Sequence, residues 1–165
     1  MKLPFSVGDL AVYPMHGLAE IVALEQRDVA GRPLKIYVLE VLGNRSRIMI
    51  PTTKIADVGL REPVSEKELP EVYAILRSRD TVHNDQAWNR RHREYMDKIK
   101  TGSIFEIAEV LRDLRLLGEN KHLSFSERRV AETAQSLLVQ EIAMARHAEP
   151  AEISREIDEL FAAAA

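Results

Sequence analysis

A chain of 165 residues and 18.7 kDa with 45% apolar content is long enough for one ordinary domain or two small ones, and is too apolar to be a disordered acidic protein. With no cysteine, disulfide scaffolds, cysteine-based zinc sites and thiol nucleophiles are excluded, and a reducing cytoplasm is the expected location. The formal net charge is only −3, Met1 to Gly8 holds a lone Lys and no apolar run, and no stretch approaches the roughly 20 apolar residues that cross a bilayer, so neither a secretory leader nor a membrane span is expected.

Residues 8 to about 60 read as β structure. Gly8-Asp9 leads into Leu10 to Tyr13, which Pro14 stops; His16-Gly17 turns the chain into Leu18 to Glu25, rich in Ile and Val. Ala30-Gly31-Arg32-Pro33 is a turn signal, and Leu34 to Leu42 is a nearly continuous apolar strand ending at Gly43-Asn44. Arg45 to Ile50 then alternates charged and apolar residues until Pro51. Four strands at this spacing predict a small twisted sheet or barrel, with an edge at Met49-Ile50-Pro51 that is either blunted by the proline or used to pair with another chain.

From Ser65 onward the apolar spacing becomes helical, so the chain divides into a β-rich domain over 1–64 and a helical domain over 65–165. Ser65 with Glu68, Ser103 with Glu106 and Ser124 with Glu127 have capping-box form, and Asp85 is placed to cap the following helix. Gly102, Gly118 and Pro150 read as stops. The expected helices lie near 66–79, 85–101, 103–117, 125–147 and 151–162, an α+β chain with about five helices after the sheet.

The chemistry concentrates between Trp88 and Lys100. Helical periodicity puts Trp88, Tyr95, Met96 and Ile99 on one side and Arg90, Arg93, Lys98 and Lys100 largely on the other. Five basic residues against two acidic ones leave a local charge of +3, which matters more to an anionic partner than the total does. Trp88 has two readings: core, in line with Tyr95 and Ile99, or an apolar wedge in the first helical turn, with arginines around it to hold phosphates. Phe125, beside the Ser124 cap, is either a hydrophobic staple or a partner of the second basic pair, Arg128 and Arg129.

Other chemistry finds little support. The five histidines lack metal-ligand spacing, and no nucleophile elbow or phosphate-cradling glycine loop occurs. No enzyme, cofactor, metal or small-molecule substrate is therefore expected.

Several segments resemble the CarD/CdnL family of bacterial transcription regulators. They are Phe5 to Gly17 (FSVGDLAVYPMHG), Arg47 to Pro51 (RIMIP), Val58 to Arg61 (VGLR) and the WNRRHREYMDKIKTG run from Trp88, followed by EIAEVLRDL. The likeness runs in order from Phe5 to about Ala148. Its β half is shared with the transcription-repair coupling factor, whereas the helical half with its Trp is similar to the short, stand-alone regulators.

The resemblance implies that a Tudor-like N-terminal module docks on the RNA polymerase β subunit, partly by strand-edge pairing. It also implies that the helical module contacts promoter DNA near the minus-ten element, at the upstream edge of the transcription bubble. Carried over by position, the polymerase face comprises Arg27, Leu39, Met49 and Pro51. The DNA-contacting set so implied comprises Trp88 as wedge, Arg90, Arg91 and Arg128 as phosphate partners, and Met96 and Phe125 as an apolar patch; Arg93 of the basic helix face and Arg129 of the second basic pair are expected to join it. At Met49 the chain departs from relatives that are basic there, which replaces a salt-sensitive contact with an apolar one. The expected activity is stabilisation of the open promoter complex by a cytoplasmic monomer; the alternative is an adaptor that binds polymerase or another protein without touching DNA.

Overall fold

The computed structural model describes residues 3–79 and 87–164. The expected Asp85 cap lies outside the described residues. The chain divides into two compact units, Met1–Pro63 and Val64–Ala165.

The first unit is a four-stranded antiparallel meander of β1 (Leu10–Tyr13), β2 (Gly17–Val29), β3 (Arg32–Val41) and β4 (Arg47–Pro51), in the order β1-β2-β3-β4. Ala30 and Gly31 both take positive φ, 52° and 79°, and close the long β2–β3 hairpin in two residues, so the strands run on beyond the expected turn boundaries. After Pro51 a 3-10 turn (Thr52–Lys54) and a one-turn helix α1 (Ile55–Val58) occupy a segment that carries no strand.

Register assigns each strand residue to a face. Tyr37, Leu39 and Val41 alternate inward and pack with Phe5, Ala11, Ala19, Ile21, Ile50, Ile55 and Leu60. The Tyr37 hydroxyl, fully buried with its ring, donates to the Phe5 carbonyl at 2.7 Å and accepts from the Phe5 N–H at 3.2 Å, which satisfies a polar group the core would otherwise strand. The opposite face carries the cross-strand rows Arg27–Leu34, Glu25–Ile36–Pro51 and Val38–Met49. At one margin Val12 bridges to Arg61; at the other, β4 pairs among the described residues with β3 alone.

The second unit holds α2 (Leu69–Arg77), α3 (Trp88–Lys100), α4 (Ile104–Asn120), α5 (Phe125–Arg146) and α6 (Pro150–Ala164). Their inward faces share one core that includes Leu76, Ile99, Leu111, Leu114, Leu138, Ile142, Ile153 and Ile157. Glu141 of α5, 4% exposed, accepts the Val64 N–H at 2.7 Å and ties down the start of the unit. No helix of the described residues is long and apolar enough to cross a membrane.

The three expected capping boxes have three outcomes. Ser124 and Glu127 form both reciprocal bonds. Ser103 caps Glu106 N–H at 3.5 Å, but the Glu106 carboxylate takes the Thr101 hydroxyl in place of the Ser103 N–H. Ser65 and Glu68 bond to each other ahead of the helix, which starts only at Leu69 with Pro70 in its first turn; the proline ring would clash with the carbonyl four residues back had the helix begun earlier.

Two stops also differ from expectation. Gly118 lies inside α4 and not at its end: it lacks the positive φ by which a glycine closes a helix, and a Cβ there would make only ordinary contact with the Leu123 side chain at 3.4 Å. Pro150 opens α6 at a position that suits its fixed φ, while α5 stops at His147 in the left-handed region, φ 53°.

Candidate nucleic-acid interface

The first turns of α3 and α5 meet, and the meeting assembles most of the residues the basic segment led us to single out. The Trp88 indole N–H points at the Ser126 hydroxyl, 3.3 Å away and 38 positions along the chain. Trp88 is half-buried, packed on the helical core, edge-on to His92 (5.3 Å) and tilted against Tyr95 (6.2 Å). It is therefore neither the wholly buried core residue nor the free-standing wedge that the sequence left as alternatives. One side is anchored and the other faces solvent.

The arginines divide into two kinds. Arg90 is 71% exposed and only 3.9 Å from Glu94 along its own helix, a surface pair that costs little to break. Arg93 and Arg128 are exposed, and Arg129 is exposed with its guanidinium 5.8 Å from the Phe125 ring centre. Arg91 differs from these. Its side chain is 18% exposed, its guanidinium lies 5.2 Å from the Trp88 ring centre, and it pairs with Glu127 at 3.5 Å. Its guanidinium is thus largely covered and charge-paired behind the indole, whereas Arg90, Arg93, Arg128 and Arg129 are exposed.

Phe125 is 68% exposed at the first position of α5, so it staples nothing, and its ring stands in water beside Arg129. A large apolar side chain so exposed is informative because burial would have repaid about 1.5–3 kcal/mol. Met96, two turns along α3 from Trp88, is partly buried against the core. Two helix N-termini converge on this surface: that of α3 has no side-chain cap, while that of α5 is closed by the Ser124–Glu127 box.

Glu127 and Ser126 went unremarked as site residues. Serine and glutamate three apart signal a helix start, and no local pattern announces that the glutamate also reaches an arginine on another helix. Glu127 is 2% exposed; one carboxylate oxygen accepts the Ser124 N–H at 2.8 Å and Lys121 Nζ at 3.1 Å. Burial pushes its carboxyl up, but the Ser124 hydrogen bonds and the Lys121 charge outweigh that and hold it below the usual carboxylate range.

A depressed folded pKa stabilises above the unfolded value, about 4.3, and the contribution is lost as pH falls through the lower folded value. The stability difference between wild type and Glu127→Gln, read as the urea midpoint, is therefore expected to be largest at neutral pH and to shrink below about pH 4. A gap that widens on acidification would contradict the charge assignment.

On the β unit, Arg27, Met49 and Pro51 share one sheet face with Ile36 and Val38, and Met49 is 44% exposed on the edge strand. Arg27 pairs with Glu25 at 2.9 Å on the surface. Leu39 is corrected: it points to the opposite face, pairs in register with Ile21 and Ile48, and is fully buried in the core, so its side chain is no part of a contact surface. Among the described residues no group of three His, Asp or Glu side chains is placed to hold a metal ion.

Both units match known protein families. Residues 5–64 match the description "CarD-like/TRCF RID domain", and residues 71–158 match "CarD, C-terminal domain". The chain is 33% identical over 138 residues to YdeB of Bacillus subtilis (strain 168), whose name describes a candidate transcription factor; the match covers 84% of this chain and 90% of that protein. Among solved structures, CdnLNt from Myxococcus xanthus is 48% identical, with 40% of this chain and 93% of that one covered and a TM-score of 0.34. With both units matched in order and a relative aligned over most of its length, the chain belongs to the CarD family of transcription regulators.

Proposed function

We propose that the protein docks through its β unit on the β subunit of RNA polymerase and contacts promoter DNA through the α3–α5 surface, stabilising the open promoter complex. The observation that carries the DNA half is the convergence of a half-exposed Trp88 and an exposed Phe125 with Arg90, Arg93, Arg128 and Arg129 at two helix N-termini. The arginines suit phosphates of the backbone, while the apolar groups suit the minor-groove edge of a junction already unstacked. The polymerase half is supported by the matched β domain and by the edge strand β4, which carries the exposed, apolar Met49 and can pair along its length as far as Pro51.

The mechanism needs no bond-breaking step. A ligand shifts an equilibrium only by its differential affinity for the two states, so a surface that fits the distorted junction better than intact duplex by about 1.4 kcal/mol favours the open complex tenfold. Few phosphates are contacted, so affinity for free DNA is weak, and attachment to polymerase supplies the effective concentration.

The test is the lifetime of open complexes after competitor challenge with two variants whose substitutions lie on the surface. Phe125→Ser is expected to retain polymerase binding and shorten the lifetime; Met49→Glu is expected to lose both polymerase binding and the lifetime effect. If wild type binds polymerase yet leaves the lifetime unchanged, the protein is an adaptor that does not touch DNA.

A further inference from the structure

We infer that Glu127 is a positioning residue for Trp88, acting through Arg91, so that the cap of α5 also sets the orientation of the indole that meets DNA. The inference rests on the reading of Trp88 as the DNA-contacting residue. A glutamate at the third position of a helix needs one carboxylate oxygen to complete a capping box, and here one oxygen takes both the Ser124 N–H and Lys121 Nζ. The other oxygen is also buried, accepts no hydrogen bond among the described residues, and lies 3.5 Å from the Arg91 guanidinium. Capping alone would leave that oxygen free to face water. Its burial beneath Arg91 means that the carboxylate charge is directed at the arginine, and with little water between them the attraction is screened weakly.

Arg91 in turn lies over the Trp88 ring, and the neighbour of Glu127 in the same turn, Ser126, takes the indole N–H. Two adjacent residues of α5 thus hold Trp88 at two points: one directly through the N–H, the other through a pinned guanidinium on its ring. A side chain already held in its bound orientation loses less conformational freedom on binding, which is what a group meeting a transient junction requires.

Trp88 is the sole tryptophan, so its fluorescence reports the contact without DNA or polymerase present. Glu127→Gln retains an oxygen for the Ser124 N–H but removes the charge facing Arg91. We expect its Trp88 emission to shift red and its acrylamide quenching to steepen while the chain stays folded by circular dichroism. Lys121→Ala, which removes one of the two partners of the other oxygen and leaves the Ser124 N–H in place, is expected to leave the emission at the wild-type value. Wild-type emission and quenching in folded Glu127→Gln would overturn the inference, whatever DNA does.

Should Glu127→Gln fail to fold, Arg91→Met reads the same contact from the other end, and wild-type emission there would overturn it equally. Open-complex lifetimes with the same variants separate the two ideas: a shifted spectrum with a shortened lifetime supports both. A shifted spectrum with an unchanged lifetime keeps the indole contact but overturns the claim that it serves DNA.

Discussion

Trp88→Ala is expected to shorten the lifetime of open promoter complexes by about tenfold relative to wild type, the effect of losing roughly 1.4 kcal/mol of preference for the melted state. Polymerase binding should persist, because the exposed β-unit face carrying Arg27, Met49 and Pro51 lies in the other compact unit. Because the indole also packs on the helical core, the substitution will cost some stability, less than the roughly 3–5 kcal/mol of a fully buried Trp→Ala. Trp88→Phe controls for this: it preserves a ring against the core and under Arg91 but deletes the donor to Ser126. Lifetime, polymerase affinity and thermal midpoint measured together distinguish the causes. An unchanged lifetime in folded, polymerase-bound Trp88→Ala would remove the wedge from the mechanism.

Leu39→Ala should behave in the opposite way, with a large stability loss and no surface contact of its own to lose. The side chain is fully buried among Ile21, Tyr37, Val41 and Ile50, where truncating a leucine costs about 2–5 kcal/mol. Against the roughly 5–15 kcal/mol that holds a typical domain together, that is a large fraction for a unit as small as Met1–Pro63. Hydrogen exchange of the β2 and β3 amides should accelerate, and polymerase binding should decline only as far as the unit unfolds. Met49→Ala is expected to show the reverse pattern, near-neutral stability with weaker binding, since its side chain is already 44% exposed. Weak polymerase binding by a fully folded Leu39→Ala would show instead that the leucine shapes the docking face at close range.

The contrast between these two positions follows how far each was legible in the chain. Both sit in segments that read plainly as strands, and both strands form there, with their ends displaced by one or two residues. Alternation says that neighbours point to opposite faces, but LKIYVLEVL is apolar on both, so it could not say which face was inner. Pairing decided it, by setting Leu39 against Ile21 and Ile48. Gly118 is likewise a reasonable stop by local rules, yet it lies inside α4 without the positive φ of a helix end. Phe125 had a local explanation as a staple and lost it because nothing apolar meets its ring closely enough to bury it.

What the sequence determined by itself was whatever depends on near neighbours. The switch from alternating to helical spacing, the stop at Gly102, the Ser124–Glu127 cap and the gathering of positive charge after Trp88 are all read within a few residues of one another. What only the tertiary structure decided was the use of each charged or aromatic side chain. Arg90 and Arg91 are adjacent and chemically alike, yet one is exposed and the other is held between Glu127 and an indole. The difference arises because α5 brings its first turn to α3 across 38 positions of chain, and burial and charge pairing depend on which surfaces meet in space, which no local periodicity records.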